Sequence, residues 1–220
     1  MRALILGAAL SVTIAMTGCA DKSDPVAIDD EPSTTTEVTT TEATTGCAAD
    51  DADADELGAL AVEAVPDGYD LQPDDVGDTG PSDLAKAASD DGGADAEKAL
   101  TDLRFRRGYQ WLWTSAANEQ IVSFVYEFCD GDGAAGYLER GQDLLASDPR
   151  SASVEVLEVP ELEGEVAFAG EVDGTATTAI DMIEGAYYLR VLAYADAGAL
   201  PLDELNARAS AVMVAQLREL

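Results

Sequence analysis

The amino-acid sequence predicts an α+β fold, an antiparallel sheet of about five to six strands with helices packed on it, preceded by an export segment and a disordered linker. Three observations predict it. Apolar residues recur at helical spacing near residues 50–65 and 202–217, yet alternate with period two across much of the chain between. Aromatic and β-branched residues concentrate in those alternating stretches. Successive stretches are joined by the tight-turn pairs Asp173-Gly174 and Glu184-Gly185, and so short a link serves only antiparallel neighbours.

At the N-terminus, Met1-Arg2 is a short basic start to the apolar run Ala3–Met16. That run is too short to cross about 30 Å of hydrocarbon comfortably as a helix, and no basic cluster follows it, so it predicts an export signal. It closes on Met16-Thr17-Gly18-Cys19. Here the chain resembles lipobox-bearing bacterial lipoproteins, in which a small residue and then Gly or Ala precede the cysteine. Met16 stands where the family usually has Leu. The resemblance implies removal of residues 1–18, fatty acyl chains such as palmitate on Cys19, and a location on the extracytoplasmic face of the cell membrane. At ~0.8 kcal/mol per buried CH₂, two acyl chains contribute on the order of 20 kcal/mol, enough for lasting attachment.

Residues 19–47 offer almost nothing to bury. Eight threonines lie between Ser33 and Gly46, acidic residues run throughout, and aromatics are absent. This composition predicts a disordered, solvated tether with a root-mean-square span of roughly 30 Å, and its threonines admit O-glycosylation. With Cys19 acylated, Cys47 and Cys129 remain. An oxidising compartment and an even remainder predict a Cys47–Cys129 disulfide; the other arrangement is two unpaired thiols with Cys129 buried.

A single α+β domain is expected over 48–220. Residues 50–65 read as a helix with an acidic first turn, 66–93 as mostly loop, and 94–105 as a second helix. Residues 108–114 and 120–129 read as a hairpin. Asp130 is placed to cap a helix over 134–146. Strands follow over 154–159, 165–171, 175–183 and 186–195, and a final helix over 202–217. In the strand 120–129, Val122, Phe124, Tyr126 and Phe128 share one face and Ile121, Ser123 and Val125 the other, so helices are expected to cover parts of both. The stretches FRRGYQWLWT (105–114) and AAGYLERG (134–141) are also similar to small secreted domains of high-GC Gram-positive bacteria, a resemblance that implies no particular activity.

Charge narrows the function classes. Twelve Lys+Arg stand against 44 Asp+Glu, a formal net charge of −32. Loss of residues 1–18 removes only Arg2 and leaves −33. Such a body repels phosphate backbones and anionic headgroups, which argues against nucleic acid and against adsorption to membranes through basic residues. There is no histidine, so the usual acid–base group near neutral pH is missing. The run from Asp130 to Gly133 opens like a calcium loop, but Ala134, Ala135 and Gly141 fall where such a loop needs a ligand, Gly and Glu. Metal and cofactor sites are therefore not expected. Arg104, Arg106 and Arg107 are expected to neutralise neighbouring carboxylates.

Tyr109, Trp111 and Trp113 alternate along one strand face. Covered by a helix they are core; left open they form an aromatic groove for apolar or sugar-like ligands. Arg190, between Tyr188 and Leu192, would either reach that groove and fix an anionic group or extend to the surface. The functional expectation is a membrane-anchored extracytoplasmic lipoprotein whose non-enzymatic domain binds an envelope protein or cell-wall component. The alternative is a small-ligand- or lipid-binding lipoprotein using the aromatic face. A carboxylate-based hydrolase would need two acids facing each other across a cleft.

Overall fold

The computed structural model describes residues 47, 55–59, 65, 67–73, 79–148, 155–157, 162 and 166–220. Residues 1–46, with Cys19, lie outside that set, as do most of the helix expected over 50–65 and parts of the strand expected over 154–159. The described elements are α1 (Asp55–Gly58), β1 (Tyr69–Leu71), β2 (Gly80–Ser82), α2 (Leu84–Asp91), α3 (Ala96–Asp102), β3 (Phe105–Ser115), β4 (Gln120–Phe128), α4 (Gly131–Ser147), β5 (Glu155–Leu157), β6 (Val166–Val172), β7 (Thr175–Glu184), β8 (Tyr187–Asp196) and α5 (Leu202–Leu217).

All pairings are antiparallel, in the order β1-β3-β4-β8-β7-β6-β5, with β2 also on β3. The six longer and C-terminal strands are those the alternation predicts. At the β6–β7 link, Asp173 (φ 52°) and Gly174 (φ 83°) are both left-handed, the geometry a two-residue hairpin demands. Two additional strands, β1 and β2, lie end to end along the free edge of β3, inside the stretch expected to be loop. Pro81 fits there because an edge strand tolerates a residue without an N–H.

Three helices differ from expectation, α4 by starting at Gly131 rather than 134. Residues 84–91 form α2 rather than loop: Asp83 accepts a hydrogen bond from the Lys86 N–H at 2.8 Å, and Gly92 (φ 71°) closes the other end. The helix expected through 105 stops at Asp102, because the backbone turns at Arg104 (φ 59°) and delivers Phe105 to pair with Phe128. The sheet core claims that ring, which is 6% exposed.

Helices cover both faces of the sheet. On one, α5 and α1 bury Trp111, Trp113, Ile121, Val125, Ile180, Leu189 and Val191 against Leu57, Leu205, Val212 and Met213. On the other, α2, α3 and α4 bury Phe105, Tyr126, Phe128 and Tyr188 against Ala87, Leu100, Ala134 and Tyr137. Asp130 caps α4 by accepting from the Gly133 N–H at 3.0 Å. Cys129, between β4 and α4, is disulfide-bonded to Cys47, with a Cα–Cα distance of 5.8 Å. Among the described residues no helix is long and apolar enough to cross a membrane.

Candidate functional site

The structure separates the residues that the sequence suggested as a ligand face. Trp111 and Trp113 are 1% and 4% exposed beneath α1 and α5, and Tyr109 packs on Trp111 with ring centroids 4.9 Å apart. They are core, and the aromatic ligand groove expected as one alternative is corrected accordingly. Arg190 does not share their face. In the ladder, Trp111 aligns with Ser123 and Val191, whereas Gln110 aligns with Phe124 and Arg190. A one-residue offset at period two places Arg190 on the opposite side of the sheet.

The arginine cluster behaves as its charge context predicts. Arg104 pairs with Asp130, Arg106 and Arg107 share Glu127, and Arg107 also reaches Glu56 at 3.1 Å. These pairs tie the start of β3 to β4 and α1.

On the Arg190 side, register stacks side chains into rows across the strands. Nearest α4, Gly108, Tyr126, Tyr188 and Ile183 align. Next come Gln110, Phe124, Arg190 and Asp181, then Leu112, Val122, Leu192, Ala179 and Phe168. The first row is core under α4. The second is a polar seam. In the third, Val122 is buried and Leu112, Leu192, Ala179 and Phe168 are half-buried.

Asp181 and Arg190 anchor the seam as a cross-strand pair. Arg190 donates from Nε to Oδ1 at 2.6 Å and from Nη2 to Oδ2 at 2.9 Å, a fork-to-fork geometry. The Tyr188 hydroxyl also donates to Asp181, at 2.9 Å. Asp181 is 1% exposed, but the Arg190 side chain remains 30% exposed. Burial opposes the Arg190 charge most strongly, yet the adjacent carboxylate and the hydrogen bonds outweigh it and hold the guanidinium pKa above its ordinary value. Gly141 leaves room for the guanidinium beneath α4: a Cβ there would lie 3.3 Å from Nη2.

Three tyrosine rings adjoin this pair. Tyr137 of α4 stands edge-on to Tyr188 at 4.9 Å and lies 5.8 Å from Tyr126. Burial raises the pKa of all three phenols, so they are hydrogen-bond donors near neutral pH. Tyr126 reaches Asp90 at 3.4 Å. Among the described residues the Tyr137 hydroxyl makes no hydrogen bond, although Tyr137 is 7% exposed. Neighbouring charges are matched locally: Arg140 holds Asp91 and Asp95, and Lys86 holds Asp90. A separate cleft of about 360 Å³ lies between α3 and α4, lined in part by Leu103, Arg140 and Leu144.

No family model and no curated protein matches the chain. Among solved structures it is similar to the extracellular domain of PknH from Mycobacterium tuberculosis, at 7% identity and a TM-score of 0.42, over 76% of this chain and 92% of that one.

Proposed function

We propose that the chain is a lipid-tethered protein of the extracytoplasmic face of the cell membrane, and that its α+β domain is a non-enzymatic interaction module for an envelope protein or cell-wall component. The observation that carries this reading is the Cys47–Cys129 disulfide, which closes the folded unit where the Thr-rich tether ends. Such bonds persist in oxidising compartments. A second support is the export segment that closes on Cys19, the one residue positioned for acylation. The tether's span of roughly 30 Å exceeds a Debye length of about 8 Å, so the acidic body stands clear of headgroup charge. Cations of the described residues are largely spent on internal ion pairs, which leaves the acidic excess facing outward.

Replacing Cys19 by Ala tests the reading. The variant should leave the membrane fraction for the supernatant with the Cys47–Cys129 peptide still present in non-reducing mass mapping. Continued membrane attachment, or a mature N-terminus other than acylated Cys19 in the unaltered protein, would overturn the placement and with it the tethered role.

A further inference from the structure

We propose that the cleft between α3 and α4 receives an apolar side chain from a basic, amphipathic segment of an envelope protein. This names the chemistry of the partner and rests on the reading of the domain as an interaction module. The cleft follows from how α4 lies on its neighbours. Its N-terminal half is drawn close to Leu103: a Cβ at Gly133 would meet the Leu103 carbonyl oxygen, and one at Gly136 the Leu103 side chain. Beyond those glycines, Arg140, Asp143, Leu144 and Ser147 recur at helical spacing along one face of α4. With Ala99, Asp102 and Leu103 of the α3 side they line a space of about 360 Å³. That volume admits a side chain or two and stands at the small end of ligand sites. Ala99, Leu103 and Leu144 supply its apolar surface. Leu144 is one of three large hydrophobic side chains left exposed among the described residues, at 38%.

Charge selects the occupant. Residues 83–102 and 130–148, which hold α2, α3 and α4, carry 11 Asp or Glu against Lys86, Lys98 and Arg140, a net −8. All three bases are already paired: Lys86 with Asp90, Lys98 with Asp102, and Arg140 with both Asp91 and Asp95. On the two helices that form the cleft, Asp143 at its edge and the exposed Glu97 and Glu139 have no cation partner among the described residues. Such a layer repels anionic headgroups, and a second copy of the chain would bring the same negative layer against itself. A partner with Lys or Arg on either side of an apolar anchor meets both features. The charge steers its approach and the cleft receives the anchor.

The test titrates the full chain carrying Cys19→Ala with a labelled synthetic helix of Leu and Lys, all Leu on one face, read by fluorescence anisotropy. Saturable one-to-one binding is expected, weakening but persisting as salt rises. A scrambled peptide of the same composition should bind about tenfold more weakly, and one with Glu in place of Lys should not bind. Leu144→Asp separates the anchor from the charge. It adds a negative charge, so attraction by charge alone would tighten, whereas loss of the apolar contact weakens binding about tenfold. Its melting temperature should hold, because the position is exposed. Leu71→Asp, on β1, adds the same charge at another exposed position and should leave the affinity unchanged. Equal binding of the scrambled peptide, or tighter binding by Leu144→Asp, overturns the cleft. Self-association that Leu144→Asp abolishes would make the occupant a second copy and overturn the basic partner. A titration without saturable binding overturns this inference and leaves the interaction module standing. A mature N-terminus other than acylated Cys19 overturns the placement and leaves the titration intact.

Discussion

At the scale of single residues, the indoles and Arg190 show how one strand position decides a role. Trp111 and Trp113 carry the composition of a binding surface, yet α1 and α5 close over them. Removing both rings from water stabilises the fold by on the order of 10 kcal/mol at roughly 25 cal/mol per Å². Their fluorescence should therefore be blue-shifted and nearly insensitive to acrylamide in the native state, and become quenchable only on unfolding. Efficient quenching of the folded protein would contradict the packing. Arg190 looked in sequence like a neighbour of those rings, because both lie on aromatic-rich strands. The ladder register, which no local pattern reveals, assigns it to Asp181 and to the far side. Tyr137 carries no separate signal in the sequence: a tyrosine within a helix pattern reads as core, and its ring does pack on Tyr188 and Tyr126.

Elements were legible where local chemistry and tertiary demand agree. The hairpin, the C-terminal meander and α5 formed within a residue or a few of expectation, since period-two and helical spacing there run uninterrupted. Asp83 and Gly92 bracket α2 as caps, a signal present in the sequence but masked by the surrounding Gly, Pro and Asp. Packing of α4 against the sheet depends on a small residue. A Cβ at Gly133 would sit 2.4 Å from the Leu103 carbonyl oxygen and 3.0 Å from the Phe128 Cβ, both fixed in place. At Gly136 the obstacle is the end of the Leu103 side chain, which is able to move. Gly133→Ala should thus destabilise by about 1–3 kcal/mol in urea unfolding and Gly136→Ala by less. Equal effects would show that α4 shifts bodily to accommodate either methyl.

Considered as a whole, the molecule is two cores on one sheet, stapled by a disulfide across 82 residues that contributes about 4.5 kcal/mol in the chain-entropy model. Its response to alkali follows from the second core. Burial lifts Tyr126, Tyr137 and Tyr188 above the usual phenol value near 10. Above pH 10 the unfolded chain therefore holds fewer protons than the folded one, and stability falls as pH rises. The stabilisation is intact below pH 10 and disappears as pH climbs through the raised values. The urea midpoint should drop steeply above about pH 10, and Tyr137→Phe should soften the drop. A flat midpoint to pH 12 would mean that these phenols titrate freely.

The sequence by itself determined the elements, the alternation of faces in β4, the neutralising role of the arginine cluster and the pairing of Cys47 with Cys129. Each rests on local periodicity, nearest charges or a parity of cysteines. Only the tertiary structure decided which face of β3 is sealed, and that Arg190 lies opposite the tryptophans, paired with Asp181. The reason is physical: period two makes every strand two-sided, and the identity of each side depends on strand register and on helices distant in sequence.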